Sequence, residues 1–553
     1  MIDGFIKRVT QFPTQFFLVV IGLLLFVPFI GSVHLFDWDE INFAESAREM
    51  LVTHNWRMVQ IDYQPFFEKP PLFIWLQALS MKYYGVNEFA ARLPNAICGV
   101  ITLLVLFNVG RTVFKSQLGV LWALMFGCSI LPHIYFKSGL IDPVFNLLIF
   151  LGIYFLYKVT TINDFEPGKT SRRNRRYNVL LSALFIGLAT LTKGPVAILI
   201  IVVTGAVYFF ANRGKLKFEV GDMLVWWLAV AAIVSAWISF IIKADGVNFI
   251  NEFMAYQVRL LRTADAGHGG PFYYHLIVLL IGVFPASTLI WTTFKKNVFD
   301  DANQNSFKHW MIYLLCVVLV IFSIVRTKII HYSSLCWYPI TFLAAYYLNH
   351  LFDKRVTWNW KQTVPLLTLG MLIVIALTAG VFLIQNPKIF IDYVKDPFAV
   401  ENLKAQVYWT RNDLFFGLGY IVCIIIAILL IHAKHLKWGT YLLIISSTLF
   451  VNTLMNLIVP RVEKYSQNAH IEFLISKQNE DCIVRTAEFK SYAPYFYSRK
   501  RPPSDEDSTK TVYVVTKINK LQQCLQNEPD LVELYRKNGF VFLRKGAEVT
   551  PQH

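Results

Sequence analysis

The chain has 553 residues, of which 55% are hydrophobic, with a mean hydropathy of +0.47 and a formal net charge of +16. This composition excludes an ordinary soluble globule and indicates a polytopic α-helical membrane protein. The charge does not indicate a nucleic-acid partner, because the lysines and arginines lie in short loops between apolar segments, as in the cytoplasmic loops of membrane proteins.

Hydropathy predicts about thirteen membrane-spanning helices in the first 459 residues. They are expected at residues 14–33, 92–113, 117–135, 140–158, 178–194, 196–211, 223–243, 273–294, 308–325, 331–350, 363–384, 412–432 and 438–459. The first of these lacks a cleavage site and is expected to stay in place. The apolar piece 70–84 is too short for a comfortable span and is expected to be a re-entrant or interfacial helix.

The loop charges predict the orientation. With these spans, seven basic loops fall on one side of the membrane, which we take as the cytoplasm. The densest of them is 169–176. The loop 34–91, with its amphipathic helix after residue 38, and the C-terminal tail then lie on the extracytoplasmic side of a bacterial inner membrane.

The tail, residues 460–553, is polar and of domain length, so we predict a small α/β domain outside the membrane that follows the transmembrane domain 1–459. Strands are expected at 482–486, 511–516, 531–535 and 540–543, with a helix at 518–526. Cys482 and Cys524 in this tail are candidates for a disulfide, because that compartment is oxidising.

Acidic residues beside membrane spans are the first candidates for chemistry. Asp39 and Glu40 follow the first span and open a helix predicted to lie on the surface, and Asp142 begins another span. Charges next to lipid are costly and usually face a cavity or a substrate path. Each acid also has a structural alternative as a helix cap. Two acids that bracket one cleft are what an acid–base site requires.

Basic residues on the same predicted face are candidates for phosphate binding. Lys69 follows Glu68, and the two either form an ion pair or leave the ammonium for a phosphate. Arg326 and Lys328 lie together in a short external link. Lys193, at a span end, is interpreted as a snorkelling residue. His268 is by itself a solvated loop residue, since a zinc site needs more ligands than the sequence shows.

These motifs resemble the membrane GT-C glycosyltransferases that use polyprenyl-phosphate sugars, most of all the aminoarabinose transferases that modify lipid A, with protein O-mannosyltransferases as more distant relatives. The resemblance is carried in order by Asp39-Glu40-x-x-Phe43-Ala44-Glu45-x-x-Arg48-Glu49-Met50, Phe67-Glu68-Lys69-Pro70, Leu140-Ile141-Asp142-Pro143, Leu191-Thr192-Lys193-Gly194 and His268-x-x-Pro271-Phe272. The chain departs from the family at Phe67, where a tyrosine is frequent, and in Lys328-Ile-Ile-His331-Tyr332.

The resemblance implies a role for each matched residue. Asp39 would be the principal catalytic carboxylate, with Glu40 beside it and Asp142 as the second acid. Lys69 would hold the donor phosphate, assisted by Arg326 or Lys328. Glu68 and His268 match positions that can share a zinc ion in the aminoarabinose transferases; otherwise no cofactor is required.

The expected function is transfer of a sugar from a polyprenyl (undecaprenyl) phosphate donor to an extracytoplasmic acceptor, either lipid A or another envelope glycolipid. The alternative is a protein O-glycosyltransferase that acts on serine or threonine. A polyprenyl-lipid transporter is less favoured, because the sequence shows no internal repeat and its acids cluster on one face. The expected partners are the lipid-linked donor, the acceptor and membrane lipids, and not nucleic acid.

Overall fold

The computed structural model describes residues 12–161, 169–212, 219–245, 251–255, 258–259, 269–294 and 299–545, and it is mostly helical. The α-helices are Phe12–Phe26, Asp39–Thr53, Leu72–Tyr84, Glu88–Val113, Ser116–Cys128, Ile130–Phe136, Asp142–Thr161, Lys169–Lys193, Val196–Ala211, Val220–Asp245, Tyr274–Gly282, Ala302–Ile324, Trp337–Phe352, Trp360–Gln385, Pro397–Leu403, Phe416–His432, Leu436–Thr453, Val459–Ser466, Asn468–Ser476, Ala493–Tyr497 and Leu521–Asn527.

Helices occupy most of the predicted spans, but fewer of them have the length of a full crossing. Among the described residues, six are long and apolar enough to cross a membrane: Glu88–Val113, Asp142–Thr161, Val220–Ile242, Ala302–Ile324, Trp360–Gln385 and Leu436–Ser466. Ser116–Cys128 and Ile130–Phe136 meet at 75° and make a seventh if they form one span. Three shorter apolar helices are Pro13–Phe26, Val196–Ala211 and Phe416–His432. The predicted number of thirteen is not confirmed.

Two predicted spans are broken in the structure. The span expected at 273–294 contains the nine-residue helix Tyr274–Gly282 and then the 3₁₀ turn Ala286–Leu289. Pro285 lies between them and has no N–H to continue an α-helix. The span expected at 331–350 opens with the 3₁₀ helix Ile330–Cys336 before the α-helix Trp337–Phe352. Hydropathy alone does not detect such breaks.

The core of the helical bundle is packed tightly around aromatic side chains. Trp122, Phe107 and Phe150 are fully buried within one continuous hydrophobic cluster. The neighbouring helices Glu88–Val113 and Ser116–Cys128 approach closely where Gly110 faces Gly119. A Cβ on Gly119 would lie 2.3 Å from the Phe107 carbonyl oxygen, so this contact requires glycine.

The segment between the first apolar helix and Glu88 folds over one end of the bundle. It contains the helix Asp39–Thr53, a short ribbon that pairs Gln60–Ile61 with Gln64–Pro65, and the helix Leu72–Tyr84. The prediction that the first of these helices lies on the surface is wrong, since every residue from Glu40 to Met50 is buried. Its charges can be buried because they form ion pairs, such as Arg48 with Glu45.

A four-stranded sheet follows the last apolar helix. Its strand order is Cys482–Thr486, Thr511–Lys517, Phe540–Lys545 and Leu531–Lys537. The first two strands are parallel and the other pairs are antiparallel. All four predicted strands are present, and the helix expected at 518–526 forms at Leu521–Asn527 after a 3₁₀ turn.

The sheet shares a hydrophobic cluster with the helix Asp39–Thr53. Ile41 and Ala44 of that helix belong to the same cluster as Phe473, Val515 and Phe542. The two parts therefore pack directly on each other. The division into units 1–459 and 460–553 stays a prediction.

The cysteines of the sheet region are not paired. Both Cys482 and Cys524 are free. Cys482 packs against the cluster that faces the helix Asp39–Thr53, whereas Cys524 is buried in a separate cluster with Val514 and Leu543. The disulfide predicted between them is therefore absent, because their side chains lie in different cores.

Candidate active site

A cavity of about 1050 Å³ lies where the segment after the first apolar helix meets the bundle and the sheet region. Its charged lining residues are Asp37, Asp39, Glu40, Glu68, Lys69, Lys193, Arg259, Lys328 and Lys490. Its aromatic lining residues are Phe36, Trp38, Phe43, Tyr135, Tyr274, Tyr332 and Tyr492. Residues that are more than 400 positions apart in the sequence thus share one cavity.

Asp39 and Asp142 approach the same histidine. The Nε2 atom of His331 lies 4.0 Å from Asp39 Oδ2 and 3.9 Å from Asp142 Oδ2. The side chain of Asp39 is 41% exposed and that of Asp142 only 2%. Trp38 occupies the N-cap position of the Asp39 helix, so Asp39 does not serve as its cap. The two acids therefore differ in access to a substrate, and Asp39 is the accessible one.

Lys193 forms an ion pair with Asp142. Its Nζ lies 2.6 Å from Asp142 Oδ1 and 5.2 Å from the centre of the Tyr332 ring. The side chain of Lys193 is 15% exposed and lines the cavity. The interpretation of Lys193 as a snorkelling residue is therefore wrong: its ammonium points at a buried carboxylate.

Glu40 has a different environment from its neighbour Asp39. Its carboxylate accepts hydrogen bonds from Arg92 at 3.0 and 2.8 Å, from the Phe36 N–H at 2.9 Å and from the Gly139 N–H. Burial alone raises the pKa of Glu40, but the Arg92 ion pair and the two backbone donors outweigh it and hold the pKa below its ordinary value. Glu40 thus links the start of the Asp39 helix to the turn before Asp142, and this geometry favours a structural role over the predicted catalytic one.

Glu68 and Lys69 lie between the main cavity and a second one. The second cavity, of about 230 Å³, also shares Lys193 and Tyr332 with the first. Its other lining residues are Asp142, Phe145, Asn146, Pro195, Val196, Leu199, Ile200, Ile321, Phe322, Val325 and Leu335. The polar cavity therefore adjoins a mainly apolar one at Lys69.

The two cations predicted in the external link do not act together. Lys328 Nζ donates to the carbonyl oxygens of Phe322 at 2.9 Å, Ser323 at 2.6 Å and Val325 at 2.6 Å. An ammonium has three protons, so all are used at the end of the preceding helix. Arg326 is exposed and does not line either cavity. This geometry gives no support to a phosphate contact from either residue.

The predicted zinc site at Glu68 and His268 has no support among the described residues. Glu68 lines the cavity, but His268 lies outside the described residues. Within the described part of the chain, no group of three or more His, Cys, Asp or Glu side chains is arranged to hold a metal ion. A zinc site needs three or four such protein ligands. The shared zinc at Glu68 and His268 stays a prediction, and no mechanistic step is derived from it.

Sequence reasoning missed several residues of this cavity. His331 and Tyr332 were visible only as a departure from the family pattern in Lys328-Ile-Ile-His331-Tyr332. Lys490 and Tyr492 come from the segment after the first strand of the sheet, and nothing in their sequence context marks them. Lys490 Nζ lies 5.0 Å from the Trp38 ring and 5.2 Å from the Tyr492 ring.

Comparison with known proteins agrees with this architecture. A protein-family model described as dolichyl-phosphate-mannose-protein mannosyltransferase matches residues 68–240. The fold superposes on ArnT from Cupriavidus metallidurans bound to undecaprenyl phosphate with a TM-score of 0.74 at 16% identity, covering 97% of this chain and 99% of that one. The apo state of the same protein gives a TM-score of 0.73. The chain has a GT-C fold.

Sequence relatives confirm the predicted resemblance to GT-C glycosyltransferases. The undecaprenyl phosphate-alpha-4-amino-4-deoxy-L-arabinose arabinosyl transferase of Edwardsiella ictaluri is 25% identical over 337 residues, which are 60% of this chain and 59% of that protein. The transferase of the same name from Erwinia tasmaniensis is 24% identical over 409 residues, or 72% and 69% of the two chains. Their names agree with the predicted enzyme class. The chain spans less than two thirds of the length of the first of these relatives.

Proposed function

We propose that this protein is an integral-membrane glycosyltransferase that moves a sugar from a polyprenyl-phosphate donor to an acceptor outside the cytoplasm. One observation carries the proposal: the accessible carboxylate of Asp39 and the ammonium of Lys69 line the same cavity, and an apolar cavity adjoins it. A cation for a phosphate, an acid for an acceptor and an apolar space for a lipid are the three elements that this reaction needs.

The donor is proposed to bind across the two cavities. Lys69 would hold the phosphate, and Lys193, which lines the same two cavities, would contribute from its pair with Asp142. The prenyl chain would lie against Val196, Leu199 and Phe322 of the second cavity. An undecaprenyl chain is the first choice, because the similar transferases are named for undecaprenyl phosphate and the ArnT structure holds it.

The reaction is proposed to be a displacement at the anomeric carbon. The acceptor oxygen attacks that carbon while its bond to the phosphate oxygen breaks, and polyprenyl phosphate leaves. Lys69 and Lys193 would stabilise the charge that develops on the leaving phosphate. Asp39 would orient the acceptor or remove its proton, since it is the acid that reaches the cavity. Arg326 and Lys328 are not needed in this scheme.

The acceptor is proposed to be lipid A or another envelope glycolipid, after the resemblance of the motifs to the aminoarabinose transferases that modify lipid A. A serine or threonine of a protein is the second candidate acceptor, because the description of the matching family model names a protein mannosyltransferase. Both acceptors would reach the cavity from outside the cytoplasm, with the protein in a bacterial inner membrane and the tail 460–553 on the periplasmic face.

A reconstituted assay tests this proposal. The purified protein, placed in liposomes, is incubated with radiolabelled undecaprenyl-phosphate sugars and with lipid A or a serine- and threonine-rich peptide. We expect label on lipid A together with release of undecaprenyl phosphate. Label on the peptide alone would replace the first acceptor by the second. Intact donor in every reaction would contradict the proposed function.

A further inference from the structure

His331 lies close to both candidate acids, Asp39 and Asp142, and the proposed reaction gives it no role. It is 8% exposed and is the second residue of the 3₁₀ helix Ile330–Cys336. The backbone at this point is fixed by a chain of hydrogen bonds: Asn146 Nδ2 donates to Ser334 Oγ at 2.7 Å, and Ser334 Oγ donates to the His331 carbonyl oxygen. Asn146 lies one helical turn after Asp142, so His331 and Asp142 are held in register.

The imidazole faces two carboxylates through one nitrogen. The Oδ1 atom of Asp142 forms the ion pair with Lys193, and its Oδ2 atom faces His331. Asp39 approaches the same nitrogen and is open to the cavity. The titratable groups that face His331 from the surrounding elements are Asp39, Lys69, Tyr135, Asp142, Lys193, His275 and Tyr332.

We propose that His331 joins Asp39 and Asp142 into one proton-accepting unit, and that the acceptor of the sugar is an alcohol. This inference rests on the proposed function and adds the acceptor chemistry and a residue. The separations of 3.9 and 4.0 Å exceed a hydrogen bond, but such contacts are often long in the absence of substrate and close in the complex.

The acceptor O–H bond breaks as its oxygen bonds to the anomeric carbon, and Asp39 takes the proton. The bond from the anomeric carbon to the phosphate oxygen breaks with its electron pair, so polyprenyl phosphate leaves with one more negative charge. The proton passes from Asp39 to His331 Nε2, where Asp142 stabilises the imidazolium. The imidazolium then releases this proton to the leaving phosphate or to water.

The proton-accepting unit of Asp39, His331 and Asp142 can contribute to the reaction only if the acceptor carries a proton that must be removed. A phosphate acceptor is already ionised and attacks without a base. His331 acts through Asp39 and is therefore a positioning and proton-accepting residue, distinct from the groups that touch the sugar. Removal of a proton acceptor typically lowers a rate by about a hundred-fold or more.

The test compares two His331 variants with a matched histidine. The probe is the undecaprenyl-phosphate sugar that the wild-type protein uses fastest, and the readout is kcat between pH 5 and pH 9. We expect the wild-type rate to fall at low pH, where His331 is already protonated and cannot take the proton. We expect His331→Gln to lower kcat by about a hundred-fold, with little change in donor KM and without this fall. We expect added imidazole to restore part of the rate of His331→Ala. His275→Gln, a buried histidine bonded to Ser333 on the same 3₁₀ helix, should keep the wild-type pH profile.

Each outcome decides one question. Normal turnover by His331→Gln, or an equal loss in His275→Gln with no rescue by imidazole, overturns the inference and leaves the proposed function intact. Wild-type protein that cleaves no donor overturns the proposed function and the inference with it. Transfer to a phosphate group of the acceptor, located by mass spectrometry of the product, overturns the alcohol assignment.

Discussion

Two adjacent acids in this chain are assigned opposite roles by their surroundings. Asp39 is 41% exposed and faces the cavity, whereas Glu40 is buried against Arg92 and two backbone N–H groups. The sequence motif contains both and does not distinguish them. The distinction depends on Arg92 and Gly139, which only the folded chain brings to Glu40.

Replacing Asp39 should remove activity and spare the fold. We expect Asp39→Asn to reduce sugar transfer by at least about a hundred-fold, because the amide cannot accept a proton or carry charge. The thermal unfolding midpoint should stay close to wild type, since the Asp39 side chain is 41% exposed and is not the helix cap. Initial rates and thermal unfolding in detergent measure both, with Glu401→Gln, an exposed acid in a surface ion pair, as the control. Near-normal turnover would remove Asp39 from the mechanism.

Replacing Glu40 should have the reverse effect. Glu40→Gln leaves the Arg92 guanidinium buried without a charged partner, which typically costs about 3–5 kcal/mol. We expect a marked fall in the unfolding midpoint and in the yield of folded protein. A stable Glu40→Gln variant that has lost only its activity would show that Glu40 takes part in the chemistry after all.

Lys69 should act on the donor. A phosphate contact made in both the ground state and the transition state appears mainly in KM, so Lys69→Ala should raise the donor KM more than the acceptor KM. Lys82→Ala, an exposed lysine at the far end of the following helix, is the control and should change neither. An unchanged donor KM with lower stability would favour the ion pair with Glu68.

The helix Asp39–Thr53 shows that the spacing of hydrophobic residues does not predict the burial of a charged face. Phe43, Ala44, Ala47 and Met50 predicted an amphipathic surface helix, yet its charged face is buried as well. Arg48 donates to Glu45 at 2.7 and 2.6 Å and to the Lys500 carbonyl oxygen at 2.9 Å. The partner segment lies more than 400 residues away, so local spacing contains no sign of it.

Burial of Glu49 in that helix predicts a pH-dependent stability. Burial, together with the neighbouring carboxylate of Glu45, raises the pKa of Glu49 from its ordinary value of 4.5 to about 8. Between these values the folded state binds more protons than the unfolded state, so stability falls as the pH rises from 4.5 to 8. We expect Glu49→Gln, which resembles the protonated acid, to flatten this decline in unfolding temperature. An equally steep decline in the variant would assign the effect to other groups.

Elements with a local signal were predictable, and those that depend on distant partners were not. The strands 482–486, 511–516, 531–535 and 540–543 follow from β-branched and aromatic runs, and all are present. The broken span at Tyr274–Gly282 and the pair of Lys193 with Asp142 were missed. The break in the span can be recognised only from the backbone geometry. The ion pair can be recognised only when the two helices are known to meet.

At the scale of the whole molecule, the proposal requires one orientation in the membrane. Single cysteines are placed at Asn55, Asn163 and Ser504 in a cysteine-free background and treated with a membrane-impermeant reagent in outer-permeabilised cells. Asn55 and Ser504 should be labelled. Asn163, which lies outside the described residues and just before the dense basic stretch 169–176, should not be labelled. Labelling at Asn163 with protection at Ser504 would invert the orientation and remove the extracytoplasmic site.

The most direct test of the account is the fate of the donor. Purified wild-type protein and Asp39→Asn are each mixed with an undecaprenyl-phosphate sugar and an envelope lipid extract, and undecaprenyl phosphate is measured over time. We expect the wild-type protein to release undecaprenyl phosphate in step with the appearance of a glycosylated acceptor, and the variant to release almost none. Movement of the intact donor across the bilayer without cleavage, or equal cleavage by both proteins, would contradict it.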